Sequence, residues 1–342
     1  MKRIIAGFDV GGTKIAVSLG TKAGKILGKK IFPSARGRQA KESVRQIKSA
    51  LSALLEESGF GRRHLLGIGV AVPGAVDPRR EGVLKSPNLP SWEGFPLKRV
   101  LFKEFGVPVW IENDANAAAL GEQYFGLGRG IHHFLYLTIS TGIGSGIVAN
   151  GSLLRGTSGV AGEVGHMTVV RNGLNCPCGK KGCLEAYSSG TAIANHVKRA
   201  LRAGAKSRFF RRVKSSEITG QLVGEAARTV KDRVAIQARE MAADFLGIGL
   251  ANLVNIFNPD RIILGGGVME HAEYFWKPMM TAVRREAWPI SLRSCAIVRS
   301  KLGKEVGDLG AIAIVLDAKK REHSLMRPSE TVFRKPSRYR SR

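Results

Sequence analysis

Two short stretches decide the fold: DVGGTKIAV at residues 9–17 and STGIGSGIV at residues 140–148. Each predicts a strand, a glycine-rich turn and a second strand. Glycine is needed where backbone N–H groups approach phosphate oxygens closely, because a Cβ would hold the anion away. One such turn alone is more typical of a tight hairpin. The matched pair, with a third glycine turn in LGGGV (264–268), instead predicts two related nucleotide-binding lobes.

Neither stretch is a standard nucleotide motif. The Walker pattern G-x-x-x-x-G-K-[ST] does not occur in the chain. GIGSGI lacks the G-x-G-x-x-G spacing of a dinucleotide site, and it continues into a β-branched strand instead of a helix. The two turns therefore belong to another class of nucleotide site.

Strands and helices alternate along the rest of the chain. A helical stripe of apolar side chains in 39–57 consists of Val44, Ile47, Leu51, Leu54 and Leu55. Further strands are predicted at 24–32, 65–73, 107–112 and 261–266, and further helices near 96–105, 115–125, 221–257, 271–286 and 307–320. This order predicts an α/β protein.

The length predicts two lobes, because 342 residues exceed the roughly 250–300 at which one hydrophobic core stops growing. Hydrophobic residues make up 44% of the sequence, enough for a globular core. No apolar run approaches the roughly 18 residues of a membrane span, and Asp9 interrupts the first apolar stretch too early for a secretory signal. A cytoplasmic location without a membrane partner is expected.

The chain is strongly basic, with 54 Lys and Arg residues against 27 Asp and Glu residues. Residues 198–214 carry eight basic residues and no acid, and residues 319–342 carry nine basic and two acidic residues. Both segments are interpreted as solvated surface, the second ending in a disordered tail at 321–342; contact with an anionic polymer or membrane is the alternative. No helix-turn-helix precedes the first strand, so a nucleic acid partner is not expected.

Three of the four cysteines lie in one loop, GEVGHMTVVRNGLNCPCGKKGCLEA at residues 162–186, with one histidine and two glutamates. Three kinds of site compete for this composition: a zinc ribbon that contacts nucleic acid, a redox-active cysteine pair, and a metal-bound loop that presents carboxylates to a substrate. Cys295 is distant and is interpreted as a lone buried thiol.

Five motifs carry a resemblance to a known family: DVGGTK, ENDANAAALGE, STGIGSGI, GEVGH and CPCGKKGCLE. Over residues 3–317 the chain resembles the ROK family of sugar kinases and transcriptional regulators, and within it the bacterial glucokinases. The last motif matches the family pattern C-x-C-G-x-x-G-C-x-E without a departure. The resemblance implies a two-lobed actin-like and hexokinase-like ATPase fold with ribonuclease H-like duplicated domains. The missing helix-turn-helix module favours the kinase branch.

The cysteine loop is then interpreted as a structural zinc site. Three sulfurs and one nitrogen come from Cys176, Cys178, Cys183 and His166. Such a set is typical of closed tetrahedral zinc sites. A redox pair normally has the spacing C-x-x-C, and a nucleic-acid-binding ribbon has two such knuckles, whereas this loop has one cluster with C-x-C. The resemblance implies that zinc holds Glu163, His166 and Glu185 against a sugar.

The segment IENDANAAA, residues 111–119, is predicted to hold the catalytic base. A hydroxyl that attacks a γ-phosphoryl group needs a carboxylate to orient it and take its proton. Asp114 stands where a strand ends and a helix begins, and a helix N-terminus favours the ionised form that a base requires. A simple helix N-cap is the structural alternative. Asn113 is expected to bind a neighbouring sugar hydroxyl, and the resemblance implies further sugar contacts from Asn88 and the Gly74 backbone.

The glycine turns are predicted to hold ATP. Asp9 is expected to organise Mg²⁺ through water, because Mg²⁺ commonly keeps waters and uses few protein carboxylates. The other expected ATP-binding residues are Gly11, Gly12, Thr13 and Lys14 in the first turn, Thr141, Gly142 and Gly144 in the second, and Gly266 and Gly267 on the adenosine side.

The chain is thus expected to have a first lobe at 1–118, on which the helix near 307–320 packs back, and a second lobe at 119–306 that contains the zinc loop. The expected reaction transfers the γ-phosphoryl group of ATP to the 6-hydroxyl of glucose. The alternatives are a kinase for N-acetylmannosamine, N-acetylglucosamine or fructose, and a sugar-sensing regulator without catalysis. The resemblance suggests a homodimer or homotetramer.

Overall fold

The structure is a computed structural model that describes residues 3–34, 40–77, 82–86, 88–270, 272 and 274–325. The strands of this part are β1 (Ile4–Val10), β2 (Lys14–Gly20), β3 (Ile26–Pro33), β4 (Leu65–Val72), β5 (Ala75–Asp77), β6 (Gly82–Lys85), β7 (Val109–Asn113), β8 (Phe134–Ile139), β9 (Ile143–Ala149), β10 (Ser152–Leu153), β11 (Arg261–Gly265) and β12 (Ala296–Arg299). The α-helices are α1 (Ala40–Glu57), α2 (Leu97–Phe105), α3 (Asp114–Phe125), α4 (Glu185–Ser188), α5 (Gly190–Arg202), α6 (Gly220–Thr229), α7 (Arg233–Phe257), α8 (Gly267–Glu270), α9 (Trp276–Glu286), α10 (Pro289–Ser294) and α11 (Val306–Leu325).

Two five-stranded sheets share one topology. The first has the order β3-β2-β1-β4-β7 and the second β10-β9-β8-β11-β12. In each sheet three antiparallel strands are followed by two strands that run parallel to the central one. The predicted strand–turn–strand segments form the hairpins β1–β2 and β8–β9. The similarity of the two glycine motifs therefore extends to the pairing of whole sheets.

Apolar periodicity explains how the first sheet is covered. The five apolar residues predicted as one stripe of α1 are all buried, as is nearly all of β1. A central strand with a parallel neighbour is buried on both faces, which requires a continuous apolar run such as IIAGF. Helices α1 and α2 enclose one buried cluster with this sheet, and helices α5 to α9 enclose another with the second sheet.

Helices α3 and α11 connect the sheets. Helix α3 follows β7 of the first sheet and packs on β8 and β9 of the second, whereas α11 comes from the end of the chain and packs on β1, β4 and α3. Glycines allow these contacts: a Cβ on Gly69 would overlap the carbonyl oxygen of Ala311, and a Cβ on Gly310 would lie 2.6 Å from the carbonyl oxygen of Ala117. The start of α3, with Asp114, consequently lies between the two sheets.

Helix α11 extends to Leu325, beyond the predicted end at 320, and its last turns carry an i,i+4 ion pair between Asp317 and Arg321 at 3.0 Å. The remainder of the predicted tail, 326–342, lies outside the described residues. The helix predicted from 271 begins at Trp276. Hairpin β5–β6 and strand β12 were not predicted, because strands of three or four residues carry too little periodicity.

By length and composition alone, α7 is the one helix of the described residues that could cross a membrane, although Asp244 and Asn252 interrupt its apolar run. Half of its apolar window is buried inside the protein, and the helix packs against α9, α5 and α6. Such burial is that of a core helix. The helix therefore completes the layer that covers the second sheet.

The basic segment 198–214 comprises the end of α5 and a loop with a short 3-10 turn at Phe210–Arg212. Seven of its eight basic side chains are exposed and Lys198 is half-buried. Ser207 Oγ donates to the Asp232 carboxylate at 2.7 Å and attaches the loop to the start of α7. The prediction of a helix face followed by an exposed loop is confirmed.

Candidate active site

The predicted site residues follow the carboxyl ends of the parallel strands, where open α/β sheets commonly bind ligands. Asp9 is near the end of β1, Gly74 follows β4, Asn113 ends β7, Thr141 follows β8 and Gly266 follows β11. Several of the predicted side chains are exposed, namely Thr13, Lys14, Asn88, Asp114, Thr141 and Glu163. The fold thus brings residues from distant parts of the sequence to one accessible region.

Asn113, not Asp114, caps helix α3. Its side-chain oxygen accepts hydrogen bonds from the backbone N–H groups of Ala115 at 2.9 Å and Asn116 at 3.1 Å. Its Nδ2 donates to the Gly74 carbonyl at 3.1 Å. The N-cap function considered for Asp114 is therefore performed by its neighbour. Asn113 keeps one amide hydrogen for a ligand, which limits its expected sugar contact to that donor.

The Asp114 side chain reaches solvent, but protein atoms closely surround its carboxylate. Burial, opposed by a hydrogen bond from the Ala115 N–H and assisted by the charges of Asp9 and Glu163, raises its pKa to about 6. The helix N-terminus was expected to favour ionisation, and here burial outweighs that effect. A carboxylate with this pKa is still mostly ionised at neutral pH, so it can accept a proton.

Asp9 packs closely against the first turn of α11. Its carboxylate is so near Gly307 that a Cβ at position 307 would overlap it. Burial and the charge of Asp308 raise the pKa of Asp9 to about 6, while Lys14 and Lys29 lower it. Lys29 forms an ion pair with Asp308, whose second oxygen is buried without a hydrogen-bond partner. A cation near Asp9 and Asp308 would offset the repulsion between their two negative charges, so these residues fit the expected magnesium position.

The first glycine turn is closed by a hydrogen bond from the Gly11 N–H to the Lys14 carbonyl at 2.9 Å. A Cβ on Gly12 would lie 3.2 Å from the Cβ of Asn88. The turn predicted for ATP and the asparagine predicted for sugar are therefore neighbours.

The second glycine turn is held from two sides. The Ile143 N–H donates to the Glu185 carboxylate at 2.7 Å, and Thr191 Oγ1 donates to the Thr141 carbonyl at 2.8 Å. A Cβ on Gly144 would lie 3.0 Å from the Cβ of Ala115, next to Asp114. One Glu185 oxygen is thereby occupied by the turn, and the other is left for the predicted sugar contact.

In the third glycine turn, Gly266 is required by the backbone conformation and Gly267 leaves room for a ligand. Gly266 has a φ of +88°, and a Cβ there would overlap the Ile139 carbonyl oxygen, so the backbone itself requires glycine. A Cβ on Gly267 would meet nothing within 4 Å. Gly267 therefore faces open space that a ligand could fill.

The cysteine loop brings four ligand atoms together, those of His166, Cys176, Cys178 and Cys183. All lie within 4.8 Å of one another. The distances from Cys176 Sγ to His166 Nδ1 and from Cys178 Sγ to Cys183 Sγ are both 3.7 Å. Zinc–sulfur bonds of about 2.3 Å give a tetrahedron with edges of about 3.8 Å. The cluster could thus bind one four-coordinate metal ion.

His166 connects this cluster to Glu163. Its Nδ1 faces Cys176, and its Nε2 lies 4.0 Å from the Glu163 carboxylate. A neutral imidazole that binds a metal through Nδ1 carries its proton on Nε2, on the side of Glu163. Metal binding at one nitrogen would therefore orient a hydrogen-bond donor at the other.

Sequence reasoning missed Glu112, which precedes Asn113, and Arg155, which binds Glu112 from the second sheet. Glu112 lies inside a motif that was singled out, so its charge in a buried strand was a usable signal. Arg155 offered no such signal, because its partners are 43 and 162 positions away.

The repeated sheet topology and the arrangement of the site define an α/β protein with a sugar-kinase fold. The sequence model of the ROK family matches residues 5–318, and the chain belongs to the ROK family. The resemblance inferred from the five motifs is confirmed.

Three similar proteins illustrate the range of the family. A glucokinase of Thermotoga maritima is 38% identical over 313 residues, covering 91% of this chain and 96% of that protein. A putative xylose repressor of Caldicellulosiruptor sp. (strain Rt8B.4) is 34% identical over 313 residues, covering 92% of this chain and 78% of the repressor. The crystal structure of a ROK family glucokinase from Streptomyces griseus, in complex with glucose and AMPPNP, matches with a TM-score of 0.76 and 35% identity, covering 90% of this chain and 98% of that one.

Proposed function

We propose that this chain is an ATP-dependent hexose kinase that phosphorylates the 6-hydroxyl of glucose. The observation that carries the proposal is the position of Asp114, a solvent-reaching carboxylate with a pKa of about 6 between the two glycine-turn sheets. Similarity to glucokinases supports the choice of reaction and of sugar.

In the proposed reaction Asp114 accepts the proton of the sugar 6-hydroxyl while that oxygen attacks the γ-phosphorus of ATP. The new O–P bond forms as the bond between the γ-phosphorus and the β,γ-bridging oxygen breaks, and ADP leaves with that electron pair. Phosphoryl transfer otherwise depends on positioning and charge neutralisation, so one well-placed carboxylate is sufficient as the base.

Sugar recognition is assigned to groups that can accept or donate hydrogen bonds around the ring. The proposed set is Gly74, Asn88, Asn113, Glu163, His166 and Glu185. Glu163 is 54% exposed and His166 32% exposed, so both side chains are accessible to a ligand. Glu185 and Asn113 each retain only part of their hydrogen-bonding capacity, as described above. Their geometry restricts where the sugar hydroxyls can lie.

The ATP phosphates are assigned to the two glycine turns, and the adenosine side to Gly266 and Gly267. Asp9 would hold the Mg²⁺ that accompanies ATP through water, and the ion would neutralise phosphate charge. The Cys₃His cluster would hold a structural Zn²⁺, which keeps Glu163 and Glu185 in place. Glu163 lies three residues before His166 and Glu185 two residues after Cys183, so the metal would restrict the movement of both carboxylates.

The proposal includes two lobes, 1–118 with α11 and 119–306, that close over the substrates and exclude water as a competing phosphoryl acceptor. A cytoplasmic location accompanies this activity. The homodimer or homotetramer stays a prediction, and light scattering of the purified chain would test it.

The test is a coupled assay of ADP release over a panel of hexoses, including glucose, fructose, N-acetylglucosamine and N-acetylmannosamine. Fastest turnover of glucose, measured as kcat/KM, is expected. Preference for another hexose would keep the kinase and replace its substrate.

The similarity to a xylose repressor favours one second candidate, a regulator that binds sugar without phosphorylating it. Asp114 and both glycine turns would have no task in such a protein. Sugar binding by calorimetry without ADP release for any hexose would establish the regulator and overturn the kinase.

A further inference from the structure

An ion triad of one half-buried arginine and two buried carboxylates connects segments that belong to different sheets. Arg155 follows β10 of the second sheet, and its Nε donates to Glu112 on β7 of the first at 2.7 Å. Its Nη2 donates to Asp317 on α11 at 2.9 Å. The three side chains are 19%, 5% and 8% exposed. An arginine fork that binds two buried carboxylates fixes their geometry as well as their charge.

Glu112 connects the triad to the segment that contains Asp114. Its second carboxylate oxygen accepts hydrogen bonds from the Asn113 N–H and from Asn116 Nδ2, both at 3.1 Å. Asn113 caps α3 and directly precedes Asp114. Both oxygens of Glu112 are thus engaged, one by Arg155 and one by the start of α3. A displacement of the guanidinium would therefore move the segment that carries Asp114.

Arg155 is also attached to the opposite side of the site. Its backbone carbonyl accepts a hydrogen bond from the Ala161 N–H at 3.1 Å, two residues before Glu163. The charge of Glu163 affects Asp114 directly, so these two carboxylates are close in space. The side chain of Arg155 thus reaches one of them through Glu112, and its backbone reaches the other through Ala161.

We propose that Arg155 is a positioning residue for phosphoryl transfer, which sets Asp114 relative to Glu163 through its contact with Glu112. The inference rests on the proposed kinase function. Arg155 contacts neither sugar nor ATP in this role. Its effect comes from the geometry of the base, and a misplacement of about 1 Å in an active site can cost roughly 10²-fold in rate.

A matched pair of variants separates positioning from stability. Glu112→Gln removes the acceptor that Arg155 uses, while the amide oxygen can still accept from Asn113 and Asn116. Asp317→Asn changes the other carboxylate partner of Arg155. Among the described residues, Asp317 on α11 forms ion pairs with Arg155 and Arg321, not with the segment of Asp114. Each variant leaves Arg155 with one of its two carboxylate partners. Asp317→Asn also weakens the ion pair of Asp317 with Arg321, so its melting temperature should decrease at least as much as that of Glu112→Gln.

The expected result is a fall in kcat of about 10-fold or more for Glu112→Gln, with a change in sugar KM below about threefold. Asp317→Asn should keep kcat within about twofold of wild type. Equal effects of the two variants on kcat would show a purely structural triad and overturn the positioning role. Wild-type kcat in a folded Glu112→Gln protein would do the same.

Arg155→Lys provides a second test if Glu112→Gln does not fold. Lysine keeps the half-buried positive charge but loses the planar fork that binds two carboxylates at once. A reduced kcat is expected, with a decrease in melting temperature no larger than that of Asp317→Asn, and an unchanged kcat would overturn the proposal. If Asp114→Asn abolishes turnover but these variants do not affect it, the kinase stands and the positioning role fails. Absence of turnover in the wild-type chain would overturn both.

Discussion

The carboxylate of Glu185 accepts a hydrogen bond from the backbone N–H of Ile143 at 2.7 Å, which links the end of the cysteine loop to the second glycine turn. Cys183, two residues earlier, belongs to the metal-binding cluster. A residue assigned to the sugar therefore also shapes the turn assigned to the phosphates. Sugar binding, metal binding and ATP binding are consequently expected to depend on one another.

Gly142→Ala tests this link. A Cβ at position 142 would lie 2.5 Å from Glu185 Oε2, and Gly142 does not have a positive φ, so the clash with Glu185 is the main strain. We expect kcat/KM to fall by about 10-fold or more for both ATP and sugar, because the carboxylate and the turn must separate. Steady-state kinetics with each substrate varied in turn would measure the effect.

Gly61→Ala is the matched control, since a Cβ there meets nothing nearer than 3.9 Å and the position is remote from the site. Its kinetics should equal those of wild type. A Gly142→Ala enzyme whose kcat/KM is unchanged for both substrates would contradict the link between Glu185 and the turn.

Asp114→Asn tests the catalytic base. The amide keeps the shape of the side chain but does not accept the proton of the 6-hydroxyl, so kcat should fall by about 10² to 10⁴. Sugar affinity should change by no more than one hydrogen bond, about 1 to 3 kcal/mol. Kinetics, calorimetric sugar binding and a melting curve for the same preparation would show this profile.

Glu163→Gln should behave differently. Its proposed sugar contact exists in the ground state as well as in the transition state, so sugar KM should rise while kcat falls less than in Asp114→Asn. A folded Asp114→Asn protein with more than about a tenth of wild-type kcat would rule out the base assignment.

The raised pKa of Asp114 predicts an acid limb in the pH profile. The base works only when ionised, so kcat/KM should decrease as the pH falls below about 6 and should be constant above it until another group titrates. Because the charge of Glu163 raises the pKa of Asp114, Glu163→Gln should move this limb to lower pH. Profiles of both enzymes would test the shift, and a limb that moves to higher pH in the variant would contradict it.

The raised pKa of Asp114 also affects the free energy of unfolding. The folded state holds the Asp114 proton more tightly than the unfolded chain, in which the pKa is near its ordinary value of 3.8. The free energy of unfolding therefore decreases as the pH rises from about 4 to about 6. Asp114→Asn removes this contribution, so at neutral pH it should melt no lower than wild type. Because the Asp114 side chain is exposed to solvent, the increase in the free energy of unfolding of Asp114→Asn should be small.

Metal removal should weaken sugar binding while the two sheets remain folded. About one Zn²⁺ per chain is expected, and Cys178→Ser should lower that content and raise sugar KM, because Glu163 and Glu185 lose their support. Cys295→Ser is the matched control, since Cys295 is not part of the cluster. Metal analysis by mass spectrometry and sugar titration would be used. Full sugar affinity in a metal-free protein would exclude the supporting role.

Helices and turns whose residues lie close together in the sequence were predicted correctly from apolar periodicity and glycine motifs. The stripe of α1 and the hairpins around Gly11 and Gly142 depend on residues within one helix or one turn, and both were found where the sequence indicated. The Cys₃His cluster was also predictable, because its four ligands lie within 18 positions of one another. Such features need no knowledge of tertiary contacts.

Features of the site that depend on tertiary contacts were not predicted correctly. Asn113 spends most of its hydrogen-bonding capacity on the α3 cap and on Gly74, 39 positions away, which no local pattern indicates. Burial by the surrounding protein is the largest cause of the raised Asp114 pKa, and the charges of Asp9 and Glu163, from two distant segments, act in the same direction. Sequence reasoning considered only the helix N-terminus, and it therefore predicted the wrong dominant effect.

Helix α11 has a consequence for the order in which this protein matures during synthesis. The helix covers β1 and β4, and its residues Ile312 and Val315 bury Ile5, near the beginning of the chain. Ile5 and Ile312 lie 307 positions apart, so a ribosome must translate that intervening length before the first sheet can bury this face. Until then the nascent chain exposes an apolar surface, which is a common cause of aggregation and a target for chaperones. The earliest synthesised strands would be among the last to acquire their final packing.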